Sequence, residues 1–294
     1  MQGHPYLLIH LCVLLWGFTA ILGKLITLNA LPLVFWRVLI VSLCLWLWRP
    51  LWRQWAKLHP RDIWRALGNG IIITLHWICF YAAIKASNAS VAATCLALAP
   101  VFLALIEPLL LRQAFVRRNL LIAVAALPGV ALVVGGIPGN MLAGFGLGTL
   151  AALLAALFSG FNKGLAMRMP ALALTTLQMT AGTLLLGLLI PFWPWLGSEF
   201  ALPPPADLGW LVIMALACTL APFLMMAIAL RQVSAFSLQL AVNLEPVYAI
   251  LLATVLFNEG AELRWPFYVG VVLILAAVFI HAALPQRSSP HHSA

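Results

Sequence analysis

Charge is the scarcest property of this sequence. Only 8% of its 294 residues are charged, and only seven are acidic. A soluble domain carries roughly 25% charged residues, so a water-soluble globule is excluded and most of the surface must meet lipid. The mean hydropathy of +1.07 agrees. Catalytic signatures are missing too: there is no H-E-x-x-H, no G-x-S-x-G and no carboxylate cluster. With connectors too short to hold soluble chemistry, an enzyme is not expected. The five cysteines (Cys12, Cys44, Cys79, Cys95, Cys218) fall in apolar segments and form no C-x-x-C pair. They read as small buried residues, so neither a disulfide nor a metal or other cofactor is expected. The N-terminus lacks the basic cluster and A-x-A site of a removable signal peptide, so the first apolar segment is expected to be retained.

What the chain has is apolar length. Ten stretches suit the about 20 residues a spanning helix needs: 6–28, 31–49, 66–85, 89–111, 119–137, 143–163, 171–192, 208–229, 234–257 and 265–284. They do not alternate with period two, so helices are predicted rather than a barrel. The expected fold is an all-α integral membrane protein. Basic residues gather on alternate connectors: Arg49, Arg53, Lys57, Arg61 and Arg65 on the second, then Arg112, Arg117 and Arg118, Lys163 and Arg168, Arg231, and Arg287 in the tail. The other connectors carry Glu199, Asp207, Glu259 and Glu262. The positive-inside rule puts both termini in the cytoplasm. It also explains the net charge of +9 without a nucleic-acid partner. The expected partners are a lipid bilayer and a small-molecule substrate, with the protein a monomer.

Tryptophans mark the interfaces: Trp46, Trp48, Trp52, Trp55 and Trp64 on the inner side, Trp193, Trp195, Trp210 and Trp265 on the outer. The stretch PFWPWLGSEFALPPPAD, residues 191–207, is predicted to be an outer connector whose consecutive prolines exclude helix.

The chain also repeats itself. AIKASNASVAATCLALAP (83–100) and ALRQVSAFSLQLAVNLEP (229–246) align at a constant offset, matching Lys85 to Arg231 and Pro100 to Pro246. Two sets of five spans must be inverted relative to each other, which is an architecture of transporters. The predicted units are residues 1–140 and 141–294.

Several segments carry a family resemblance. They are WGFTAILGK (16–24), LPLVFWR (31–37), the turn AIKASNA leading to LAP, and ALRQVSA leading to NLEPVYAILLATVLFNE (229–259). In this order and spacing the chain resembles the EamA-type members of the drug/metabolite transporter superfamily. The general pattern is also similar to an aromatic amino-acid exporter of that superfamily. One departure is Gln113, where the second half has Glu259. The resemblance implies a ten-helix transporter of small metabolites, often amino acids, usually an exporter in a bacterial inner membrane. A drug, sugar or nucleotide-sugar type of solute is the alternative. A channel would predict a continuous polar stripe along a helix, and none is visible.

Polar groups inside spans are expensive, about 2.5–3.5 kcal/mol for charged types, so each is a candidate site residue. Arg37 and Lys24 can hold a carboxylate, although Lys24 can equally snorkel to the interface. Glu245 and Glu107 are candidates for proton coupling or for an ammonium group. Gln239 and Asn243 lie four apart on one helix face. Trp16, Trp77 and Tyr81 can wall a cavity, and His76 can sense pH. Core packing and interhelical hydrogen bonding are the plainer readings of these aromatic and amide groups. Pro100 and Pro246 each break a span. That points to a cavity between spans 4 and 9, completed by spans 1, 3, 6 and 8.

Overall fold

The computed structural model describes residues 5–48, 54, 58–111, 117–233, 238, 241–242 and 244–283. Among these the chain is helical, with no strand. The helices are α1 (Pro5–Leu25), α2 (Ala30–Trp46), α3 (Pro60–Ala86), α4 (Ala89–Leu96), α5 (Ala99–Leu111), α6 (Arg117–Gly136), α7 (Leu142–Arg168), α8 (Ala171–Leu189), α9 (Pro205–Ala215), α10 (Ala221–Ala229), α11 (Glu245–Phe257) and α12 (Trp265–Ala283). Each of the ten apolar stretches contains helix. Among the described residues, six helical segments are long and apolar enough to cross a membrane. Three shorter apolar helices accompany them.

Local sequence sets the boundaries. Pro60 opens α3, where a missing N–H costs nothing, and the His59 ring accepts from Arg61 N. Asn88 caps α4, its Oδ1 accepting from Val91 N at 2.9 Å. Spans 4 and 8 are interrupted. The helix stops at Leu96 and restarts at Ala99, with Pro100 second in the new helix. In span 8 a π-helical turn, Leu216–Leu220, joins α9 to α10. In span 9, α11 starts at Glu245 with Pro246 in its first turn.

The region 191–207 departs from expectation. Ile190–Leu196 forms a 3-10 helix, and Pro205 is the first residue of α9. Pro191 and Pro194 lie within that 3-10 helix, Pro203 and Pro204 stay outside helix as expected, and Pro205 opens α9. Trp193 also departs. It is fully buried, packed edge-on against Phe35 at 6.0 Å, whereas Trp195 and Trp265 are exposed as expected.

The packing exchanges partners between halves. α3 packs on α7, while α9 and α10 pack on α1. α4 and α5 pack on α7, while α11 packs on α1. α2 meets α8, α4 meets α11, and α6 pairs with α12 at the edge. That last crossing depends on glycine: a Cβ on Gly270 would stand 2.5 Å from the Gly129 carbonyl oxygen.

The two basic residues matched in the sequence do matching work. Lys85 Nζ donates to Ile26 O at 2.6 Å, just past the end of α1. Arg231 donates to Ala166 O at 3.1 Å and Met169 O at 2.8 Å, at the end of α7. They lie at opposite ends of the bundle, called here the Lys24 end and the Lys163 end.

Candidate functional site

A cavity of about 70 Å³ lies within the bundle. At roughly 10–15 Å³ per water, it has room for about five waters or a solute of similar bulk. Both halves line it. The first contributes Trp16, Arg37, His76, Trp77 and the residues flanking the span 4 break, Leu96 and Ala99. The second contributes Phe158, Ser159, Phe223, Val242 and Glu245. Two prolines explain part of this wall. Pro100 and Pro246 have no N–H, so the carbonyls four residues back, on Leu96 and Val242, lose their helical donors. Both of those residues line the cavity.

Arg37 is the central charge. It is 1% exposed and has no carboxylate within ion-pair distance among the described residues. Its Nε donates to Thr219 Oγ1 at 2.6 Å and its Nη1 to Tyr81 OH at 2.6 Å. Its Nη2 lies 3.4 Å from Cys218 O. The guanidinium carbon stands 4.1 Å from the Trp77 ring centroid, a cation–π contact. Glu245 is buried on the same cavity and, among the described residues, has no hydrogen-bond partner. His76 is held by Ala151 O, 2.8 Å from its Nδ1. Trp16 and Trp77 both pack against Phe223.

The predicted candidates thus divide. Trp16, Arg37, His76, Trp77 and Glu245 share the cavity, and Tyr81 stands behind it as a partner of Arg37. Lys24 stands apart: its Nζ bonds Glu259 Oε1 at 2.7 Å. Gln239, Asn243 and the Glu107 side chain lie outside the described residues. Arg37 adds span 2 to the expected wall. Sequence reading missed Thr219 and Phe223. A signal for them existed in Pro222, three residues after Thr219 and four after Cys218.

The Lys24 end is fastened by acids. Glu259 is fully buried and accepts from Lys24 Nζ, from Ala89 N at 3.2 Å, and from Ser90 N and Oγ at 2.9 and 2.7 Å. It therefore caps α4 from the α11–α12 connector. Burial alone pushes this carboxyl up, but the Lys24 and Ser90 hydrogen bonds outweigh it and hold the pKa below the usual value. Asp207 accepts from Thr27 N and Oγ1 at 2.9 and 2.8 Å, tying α9 to the α1–α2 connector. At the Lys163 end, Lys163 Nζ donates to the Leu230 and Val233 carbonyls.

Comparison with known proteins agrees with this architecture. No curated protein matches the chain. A solved structure, described only as the crystal structure of a protein, is similar over 96% of this chain and 98% of its own. Its TM-score is 0.66 at 16% identity, a likeness of fold alone. Residues 4–135 and 142–282 both match the EamA-like transporter family. The chain therefore belongs to the EamA-like transporter family, a family of small-molecule membrane transporters rather than enzymes.

Proposed function

We propose that the protein carries small metabolites, amino acids and related compounds among them, across a bacterial inner membrane by alternating access, acting as an exporter. In this reading ten helices span the bilayer as two inverted five-helix repeats, residues 1–140 and 141–294, with both termini cytoplasmic. The exchange of helix partners between halves and the double family match support the repeats. The loop charges support the orientation. The Lys24 end is then the outer one.

One observation carries the reading: a cavity between the halves holds a buried cation, Arg37, and a buried carboxyl group, Glu245, within aromatic walls. A zwitterion has the complementary groups. Its carboxylate meets Arg37 and its ammonium meets Glu245 or the Trp77 face. The small cavity suits a compact solute better than a nucleotide sugar. The test is flux of radiolabelled amino acids in proteoliposomes. Saturable flux above that of empty liposomes supports a carrier. Flux equal to the empty control for every amino acid removes the reading.

A further inference from the structure

The π-helical turn Leu216–Leu220 sits against Arg37, and its cause is legible. Pro222 has no N–H, so the Cys218 carbonyl, four residues earlier, has no helical donor. The turn widens, and Cys218 O faces Arg37 Nη2. Turns of this kind are frequent at functional sites.

Two hydroxyls are set by a single residue. Thr219 Oγ1 donates to Met214 O at 2.7 Å, and Tyr81 OH donates to Met214 Sδ at 3.6 Å. Each hydroxyl has one proton, and each directs it to Met214. Their lone pairs are therefore left for Arg37, which donates to both. A guanidinium has five N–H groups. Three are engaged by Thr219, Tyr81 and Cys218 O, which leaves one on each terminal nitrogen. Trp77 lies under the plane and limits its tilt.

We propose that Thr219, with Tyr81, is a positioning residue that fixes the Arg37 guanidinium so that the cavity selects solutes bearing a carboxylate. This rests on the cavity being the solute site. A guanidinium held at Nε and at one edge of each terminal nitrogen presents its two free N–H groups as a preset fork. A planar carboxylate matches that fork with both oxygens. An uncharged amide matches it with one oxygen and places its NH2 against a donor. Without Thr219 the guanidinium rotates toward other partners, and discrimination falls before transport capacity does.

The experiment uses full-length protein in proteoliposomes, with glycine, alanine and threonine each compared with its amide. The parent protein prefers the acid in at least one pair. Thr219→Val should cut that preference about tenfold through KM, with the maximal rate little changed. Thr219→Ser should restore it. Pro222→Ala gives Cys218 O a helical N–H again and should lower the preference in the same way while favouring regular helix. That separates positioning from loss of fold. A preference that survives both Thr219→Val and Pro222→Ala overturns the proposal and leaves the cavity reading standing. Transport of neither member of any pair overturns both.

Discussion

Replacing Glu259 with glutamine removes one charge and keeps the side-chain shape. The carboxylate accepts four hydrogen bonds from two segments, Lys24 and the start of α4. A glutamine has one acceptor oxygen, so its NH2 must face at least one of these donors. Hydrogen bonds to a charged group contribute about 1.5–3 kcal/mol each. The Ser90 bonds survive in part, and Lys24 is 33% exposed, so its share is discounted for solvent screening. A loss of about 2–4 kcal/mol is expected. The dependence on pH has a definite sign. The folded pKa lies below the unfolded value, which is about 4.3 for glutamate. The charged group therefore stabilises the fold above the unfolded value, and that contribution disappears as pH falls through the folded value. Thermal unfolding of parent and Glu259→Gln in detergent should differ clearly at neutral pH and converge in strong acid. A double-mutant cycle with Lys24→Met should show a coupling of about 1 kcal/mol. A gap that is the same at both pH values, or a coupling of zero, refutes the latch.

Further outcomes are expected elsewhere. Glu245→Gln should slow proton-coupled flux in proteoliposomes, and flux unchanged at every pH would rule that role out. Gly270→Ala brings a Cβ to 2.5 Å from a backbone oxygen and should cost about 1–3 kcal/mol, read as a lower Tm. Trp193→Ala should cost about 3–5 kcal/mol because the ring is fully buried. Trp195→Ala, at 83% exposure, should stay within about 0.5 kcal/mol, and equal losses at the two sites would contradict the burial described.

Much of the candidate site is readable from residue type. An arginine, a glutamate and paired prolines inside apolar spans are costly enough to single out, and Arg37, Glu245, Pro100 and Pro246 lie at the cavity or its breaks. Lys24 misleads because an ammonium near a span end looks the same whether it meets a solute or an acid far along the chain. Its partner is Glu259, 235 positions away. Trp193 reads as an interface residue because amphipathic indole rings favour headgroup level, yet tertiary packing places Phe35 against it. Thr219 does not stand out by type, since threonine is common in membrane helices, where its hydroxyl usually bonds back to its own helix. Its signal is Pro222, which frees a carbonyl beside Arg37.

The two ends of the bundle share one fastening, a basic side chain on neutral carbonyls, and differ in the buried acids that only the Lys24 end adds among the described residues. At one, carboxylates hold an ammonium and a helix start. At the other, Lys163 and Arg231 hold neutral backbone carbonyls. The ion pair Asp62–Arg168 adds little there, since its arginine is 59% exposed. Dissolved salt weakens attraction between opposite charges far more than attraction between a charge and a dipole. Among the described residues of the Lys24 end only Lys24–Glu259 pairs opposite charges, its carboxylate is fully buried, and the remaining contacts of Glu259 and Asp207 are to N–H and O–H dipoles. Ionic strength is therefore a weak lever on either end, and added salt should leave the Lys24 end almost as tight as the Lys163 end.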